Sequence, residues 1–361
     1  MAQSDPFAVI ECDVPQLDDG EVLEIVRQHY GLEVELKSLI SERDQNFRLR
    51  CKDGRQFVLK IANAVEDPQA TEFQIQALLH LESYLANHDC PIIVPRLLLT
   101  VENRTHLVVT SEGERHVTRV VSFVAGVPLG DATPSQLLCR RMGVYLAHLG
   151  QALKGFDHPG SNHGLLWDMQ QTLQLRRILD HIDDAELRSG VAQTLDDFEA
   201  HALPQFAALR SQVIHSDLNP DNLLIEPADH DDVSGVIDFG DMLRAPLIVD
   251  VAIGASYLRA TEGNPFTHIA EFLAGYHSVV RLNLAEIDLL FDLIKARLAA
   301  SISILSWRAS LRGADDAYLA GTVASAGNAA VFLRILLQLP RENARQIFRQ
   351  ICASAGSEYS G

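Results

Sequence analysis

His215, Asp217 and Asn222 stand in an H-x-D-x-x-x-x-N arrangement directly after the apolar pair Val213-Ile214. Phosphoryl transfer from a nucleotide needs a carboxylate to accept or orient the attacking hydroxyl, and oxygen ligands to hold a divalent cation on the phosphates. Asp217 and Asn222, close together on one loop, can divide those tasks. Asp238 follows in Gly235-Val236-Ile237-Asp238-Phe239-Gly240, at the end of an extended apolar run. A carboxylate there can take the remaining metal positions, because Mg2+ is commonly held by one or two carboxylates plus phosphate oxygens. Taken singly, His215 reads as a satisfied core histidine and Asp238 as a turn aspartate at a strand end. In this order, with a β-hairpin's length of chain between them, they read as one catalytic constellation.

Lys60 is an independent element. In Gln56-Phe57-Val58-Leu59-Lys60-Ile61-Ala62 the side chains alternate, so Lys60 shares a face with Val58. A lysine within an apolar strand is costly unless its charge is paired. Nucleotide phosphates and a helix carboxylate would meet that need, with Glu72 the first choice and Glu66 the second; Gln76 can only hydrogen-bond. The alternative is an edge lysine snorkelling to solvent.

The elements that must carry these residues fall into two groups. Leu36 to Ile40, Asn46 to Cys51 and Arg55 to Ile61 are short extended runs, the last two joined at Lys52-Asp53-Gly54, a strong hairpin turn. Pro68 to Asn87 carries Phe73, Ala77, Leu78, Leu81 and Leu85 on one helical face. Strands around Thr105 to Thr110 and Arg115 to Phe123 complete a five-stranded antiparallel sheet with one helix. After Ala125-Gly126-Val127-Pro128 the period becomes helical, at Leu138 to Leu153, Met169 to His181, Asp183 to Leu209, Pro246 to Thr261 and Asn283 to Ala309. Leu223 to Glu226 and Ser234 to Ile237 are short β runs among these helices. The expectation is an α+β, two-lobed fold: a small antiparallel β lobe over residues 1–124 and a large, mainly helical lobe over 125–361.

Composition narrows the partners. The formal net charge is -18, and from Asp180 to Asp250 there are 16 Asp and Glu against Arg188, Arg210 and Arg244. Such a surface repels nucleic acid and anionic membranes and attracts cationic ligands, although solubility alone would also account for it. Cys12, Cys51, Cys90, Cys139 and Cys352 are scattered, which points to reduced thiols and not to a disulfide framework or a zinc site. With no basic, apolar leader, and with Tyr318 to Leu339 rich in Ala and Gly and reading as a buried helix pair, the chain is expected to be soluble and cytoplasmic.

Together these residues resemble the aminoglycoside/choline phosphotransferase superfamily, which shares the protein-kinase-like fold, and within it the hydroxylysine kinase-like branch. The likeness rests on Glu42 to Phe47, Phe57 to Ile61, His215 to Asn222, Val236 to Asp241 and Pro246 to Ala252, and continues through Gly275-Tyr276 and Leu282 to Trp307. It implies that Asp217 is the catalytic aspartate, Asn222 and Asp238 the Mg2+ ligands, and Lys60 the contact to the α- and β-phosphates of ATP or GTP. It implies that the backbone of the Val121 to Val124 linker, at Ser122 and Val124, meets the nucleotide base. Asp241 would line the cleft near the metal or the acceptor, Trp307 would lie in the helix that walls the acceptor pocket and could contact the acceptor, and Asp250 would tie its helix to the catalytic loop.

Two departures stand out. Ser216 occupies a place where the superfamily usually has Gly. No G-x-G-x-x-G covers the phosphates; the hairpin is Ser41 to Phe47, where Ser41 and Asn46 can contact phosphate and Arg43 can pair its charge, or which can be an ordinary polar turn. Gly160 to Gly164 lacks the G-x-S-x-G spacing of a hydrolase, and no H-E-x-x-H pattern supports zinc. The chain passes from Asp238-Phe239-Gly240 into the Pro246 helix without an A-P-E-like segment, which argues against a protein kinase. The resemblance implies transfer to a hydroxyl of a small amine-bearing metabolite, 5-hydroxylysine or a related amino acid or amino alcohol. The alternatives are an aminoglycoside, homoserine or choline-type kinase, or a non-catalytic nucleotide-binding pseudokinase. An amino-acid acceptor also needs a cation for its carboxylate, for which Arg244, Arg297 and Arg308 are candidates.

Overall fold

A capping box sets the first helix. Asp18 accepts the Glu21 amide at 2.8 Å while the Glu21 carboxylate accepts the Asp18 amide at 2.9 Å, and α1 (Asp19–Tyr30) closes on Gly31 at φ 63°. The computed structural model describes residues 6–7, 11–130, 132–313 and 316–357. The chain forms two compact units. One comprises Met1–His88, Val94–Ala125 and His158–Gly164; the other comprises Asp89–Ile93, Gly126–Asp157 and Leu165–Gly361.

In the first unit, β1 (Val34–Leu39), β2 (Gln45–Cys51), β3 (Gln56–Ile61) and β6 (Glu114–Ser122) run antiparallel in that order. Both β4 (Leu97–Leu98) and β5 (Leu107–Ser111) pair with β6, so the sheet has six strands, not the expected five. Alternation divides its faces. Phe47, Leu49, Leu59, Ile61 and Val120 cluster with Val22, Val26 and Tyr30 of α1, giving the sheet a second helix beyond the one expected. On the other face Asn46, Lys60 and Arg119 stand in register across β2, β3 and β6. α2 (Pro68–Asn87) serves that face, where Gln74 accepts from Arg119. Its start is set by Asp67, which accepts the Gln69 amide at 2.9 Å, and by Pro68 in the first turn.

The second unit is mainly helical. Between β7 (Val127–Pro128) and the His215–Asn222 segment come α3 (Gln136–Ala152), a 3-10 helix at Met169–His181, and α4 (Ala185–His201). The run expected to be helical through Leu209 breaks at Ala202, just before Pro204, and continues as a 3-10 helix at Leu203–Ala208. Proline disfavours helical backbone in the residue before it and lacks the N–H the ladder needs. β8 (Ser211–Ile214) pairs with β11 (Leu243–Pro246), and β9 (Leu223–Glu226) lies between β10 (Asp229–Val236) and β7. The helices α5 (Leu247–Ser256), α6 (Thr267–Val279), α7 (Leu284–Arg312), α8 (Ala317–Leu337) and α9 (Arg341–Ser357) follow. The region expected to be a helix pair from Tyr318 to Leu339 is the single helix α8, ending before Pro340.

Every residue of α5 is buried, and so is most of α7, as expected for helices enclosed by others. α3 and α6 pack backbone to backbone. A Cβ on Gly143 would lie 2.0 Å from the Phe272 carbonyl oxygen, and one on Gly275 would lie 2.0 Å from that of Arg140. Only glycine fits at either position. No helix among the described residues is long and apolar enough to cross a membrane.

Candidate active site

The loop between β8 and β9 is held from below by one carboxylate. Asp250, on α5, accepts the amides of His215 at 3.2 Å and Ser216 at 2.8 Å. Presenting two successive N–H groups to one carboxylate bends the backbone, and Ser216 takes φ 66°, the left-handed region that favours glycine. A glycine would take this conformation without the cost that a serine bears there. Burial lifts Asp250 to about 6, against the two amide donors.

His215 ties the loop to the next segment. Its ring is fully buried; Nε2 donates to the Ile237 carbonyl at 3.1 Å and Nδ1 accepts the Asp217 amide at 3.3 Å. That pairing requires the neutral ring with its proton on Nε2, and burial agrees by pushing the imidazole down to about 4. Phe239 packs edge-on to it at 4.8 Å. Ile237 in turn donates to the Asn222 carbonyl at 3.0 Å, so the loop and the Asp238 turn form one hydrogen-bonded piece. Asp238 adopts φ 59° and accepts the Gly240 amide at 3.2 Å.

Asp217 is the point on which these contacts converge. Its Oδ2 accepts from Asn222 Nδ2 at 2.7 Å and Asn219 Nδ2 at 3.0 Å, and its Oδ1 accepts from Arg297 Nη2 at 3.2 Å. Asn222 also donates to the Asp217 carbonyl at 3.0 Å. Burial pushes Asp217 well above the ordinary carboxylate range; Asp241 pushes it further, Arg297 pulls it back, and Asp238 adds to the rise. The structure therefore brings Asp217, Asn222, Asp238 and Asp241 together. Trp307 is also buried on α7, ten residues and about 15 Å beyond Arg297 along the helix.

Such crowded carboxylates fit a divalent cation. Asn222 commits Nδ2 to Asp217, which leaves its Oδ1 on the opposite side of the amide as an oxygen donor. Among the described residues no three His, Cys, Asp or Glu side chains form a cage of their own. Asn222 and Asp238 suit an ion that takes its other ligands from phosphate and water.

The first unit places the remaining expected residues. Lys60 lies mid-strand, opposite Asn46 on one side and Arg119 on the other. Glu72 accepts from Gln76 at 2.7 Å. Burial pushes Glu66 up, with the charge of Asp44 adding to the rise and Arg43 and Arg119 opposing it. The Ser41 to Phe47 turn is closed by Ser41 Oγ, which accepts the Asp44 amide at 3.4 Å, and is tied to Asn63, which donates to the Arg43 carbonyl at 3.2 Å. Asn46 is buried, with Oδ1 lacking a partner. At the end of β6, the Ser122 amide and hydroxyl both bond the backbone of Arg96, at 2.7 and 2.9 Å, and Val124 is buried.

Three residues around Asp217 and Arg297 escape the sequence reading. Asn219 orients Asp217 from within the loop, where it reads as an ordinary turn residue. Tyr257 and Arg259 follow α5, where no motif marks them. Arg297 is foreseen only as one of three cations; nothing in its helical context shows that it touches Asp217, 80 residues away.

Known proteins resemble this chain in sequence and in fold. Hydroxylysine kinase of Xenopus laevis is 25% identical over 341 residues, covering 88% of this chain and 90% of its own length. Homoserine kinase of Caulobacter sp. (strain K31) is 28% identical over 250 residues, 68% of this chain and 72% of its own. Among solved structures, the amicoumacin kinase hAmiN, in complex with AMP-PNP, Ca2+ and Ami, matches with a TM-score of 0.68 at 16% identity, covering 91% of this chain and 97% of that one. The fold is therefore the protein-kinase-like fold, with an antiparallel sheet in one unit and helices dominating the other. The phosphotransferase enzyme family (APH) matches residues 36–300, and the chain belongs to it.

Proposed function

We propose that this chain is a small-molecule kinase that moves the terminal phosphoryl group of ATP or GTP to a hydroxyl of an amine-bearing metabolite. 5-Hydroxylysine or a related amino acid or amino alcohol is the first acceptor to test. The observation that carries this reading is the Asp217 carboxylate, fixed by Asn219, Asn222 and Arg297 within one loop. Three fixed donors leave it one orientation, the requirement for a group that must meet an incoming hydroxyl within hydrogen-bond reach. Burial and the neighbouring carboxylates raise its basicity, which suits a proton acceptor.

Roles for the other residues follow from this reading. Residues 1–124 act as the nucleotide-binding lobe and 125–361 as the catalytic and acceptor-binding lobe. Lys60, supported by Glu72, contacts the α- and β-phosphates. Ser41, Arg43 and Asn46 face the phosphates from the first hairpin, and the linker at Ser122 and Val124 meets the base. A Mg2+ held by Asn222 and Asp238 would neutralise the phosphates and offset the carboxylate charge around Asp217. Asp241 and Trp307 face the acceptor, with Asp241 suited to an ammonium group. The enzyme works in the cytoplasm, with no nucleic-acid or membrane partner.

A homoserine-type kinase is the second reading, favoured by the homoserine kinase relative. Phosphate transfer from ATP and from GTP, measured across 5-hydroxylysine, homoserine, choline, ethanolamine and aminoglycosides, separates the candidates. Turnover of 5-hydroxylysine supports the first reading, and turnover of an aminoglycoside alone overturns it. Nucleotide binding with no turnover of any acceptor would identify a pseudokinase.

A further inference from the structure

Arg297 and Arg259 are two guanidinium groups beside the catalytic loop whose donors are not all used. Arg297 is 2% exposed. Its Nη2 donates to Asp217 Oδ1 at 3.2 Å and to the Tyr257 hydroxyl at 3.3 Å, its Nη1 reaches the Trp167 carbonyl at 3.5 Å, and its buried Nε has no acceptor. Arg259 donates through Nε to the Ser256 carbonyl at 2.8 Å and through Nη1 to the Ser325 carbonyl at 2.7 Å, while its buried Nη2 has no acceptor. Both lie over the Tyr257 ring, at 5.0 Å for Arg259 and 6.0 Å for Arg297.

Arg297 pairs with Asp217 at 3.2 Å, whereas Arg259 has no carboxylate partner among the described residues. Burial lowers Arg259 to about 10, with Tyr257 pulling it up and the Arg297 charge pushing it further down; no carboxylate contributes. The other two candidate cations differ. Arg308 pairs with Asp316 at 3.0 Å, and Arg244 with Asp157 at 3.7 Å. Each of those has a protein counter-ion, as Arg297 has in Asp217, and Arg259 has none among the described residues. Two neighbouring cations with buried, unpaired N–H groups and one carboxylate between them are costly, and a bound anion with two acceptor oxygens would relieve that cost.

We propose that Arg259 and Arg297 form a subsite for the carboxylate of the acceptor, which makes the acceptor a hydroxylated amino acid and not an amino alcohol or an aminoglycoside. This rests on the kinase reading above and sharpens it. An amino acid placed there has its hydroxyl at Asp217, its carboxylate at the two arginines, and its ammonium toward Asp241 and Asp238. A carboxylate-free amine leaves Arg259 without a counter-ion and the spare N–H of each arginine without an acceptor. The rival occupant is the transferring phosphoryl group, which every acceptor would share.

Matched acceptors test the assignment. Homoserine and 3-aminopropan-1-ol differ only in the carboxylate, as do 5-hydroxylysine and 1,5-diaminopentan-2-ol. For at least one pair, wild-type kcat/KM is expected to favour the amino acid by roughly 100-fold, the worth of one or two charge-assisted hydrogen bonds. Arg259→Gln raises KM for that amino acid by roughly 10- to 100-fold and leaves the amine unchanged, and Arg259→Lys restores part of the loss. Equal wild-type use of both members of each pair overturns the subsite. So does an equal fall in kcat for amino acid and amine in Arg259→Gln, which would mark a phosphoryl contact. Thermal melting with homoserine or 5-hydroxylysine, without nucleotide, separates the two levels of the reading. Stabilisation of wild type but not of Arg259→Gln, with no turnover of any acceptor, retains the subsite and sinks the kinase reading; stabilisation by neither amino acid sinks the subsite.

Discussion

Replacing Asp250 by Ala removes the carboxylate under the His215–Asn222 loop without touching Asp217. Two opposing effects decide the outcome. The His215 and Ser216 amides, both in buried residues, lose their acceptor, and each orphaned donor costs about 1–3 kcal/mol. Against this, the native fold no longer holds an ionised carboxylate in a buried position. With Asp250 at about 6 against an ordinary 3.8, that ionisation costs about 3 kcal/mol at pH 7. The sign follows from linkage: the raised folded-state value makes ionisation destabilising above pH 6, and the penalty fades as pH falls toward 3.8. The amide loss therefore wins narrowly at pH 7, by about 1 kcal/mol, and by about 1 kcal/mol more at pH 5, where less of the native carboxyl is ionised. Urea unfolding at the two pH values measures both differences. Turnover should fall about 100-fold, because an ångström-scale shift of Asp217 is enough for that. Equal stability of the two proteins at both pH values, with full turnover, would refute the anchoring role of Asp250.

Ser216→Gly relieves a left-handed residue at φ 66° and should stabilise the fold by roughly 0.5–1 kcal/mol with turnover within about twofold; Ser216→Val should destabilise it, both read from unfolding curves and steady-state rates. Gly275→Ala drives a methyl to 2.0 Å from the Arg140 carbonyl and should cost at least about 3 kcal/mol, lowering the melting temperature markedly. Asp168, buried where it caps the Met169–His181 helix, is lifted by desolvation to about 6. Its ionisation is destabilising above pH 6 and harmless below 3.8, so Asp168→Asn, which keeps the cap, should gain up to about 3 kcal/mol relative to wild type between pH 4 and pH 7. Calorimetric melting at several pH values checks it; a pH-independent difference would count against the buried charge.

The contacts within the His215–Asn222 loop could be read in the sequence because its residue types and spacing are themselves the geometry. His215, Asp217 and Asn222 act on one another within a single turn of chain, and Asp238 follows at the end of a hairpin. Lys60 was legible for a related reason: strand alternation alone puts it on the face with Val58. What joins this loop to the rest was not. Arg297 meets Asp217 across 80 residues, and the approach of Arg259 to Arg297 depends on how α5 and α7 pack. Periodicity states which face of a helix is buried, not which buried neighbour it meets. The serine at position 216 was visible as a departure, yet its meaning came only with φ. The missed helix α1 is different. Its capping box, Asp18 with Glu21, and its closing Gly31 are plain sequence features, and the apolar Val22, Val26 and Tyr30 sit at helical spacing. That helix was within reach of the same reasoning that located α2.

The most direct test of the central claim is phosphate transfer by Asp217→Asn beside wild type, with nucleotide affinity measured on the same samples. Asparagine keeps the shape of the side chain but cannot take the proton from the acceptor hydroxyl. Transfer should fall by at least roughly 1,000-fold while nucleotide affinity stays within about threefold. Wild-type turnover in Asp217→Asn would contradict the account.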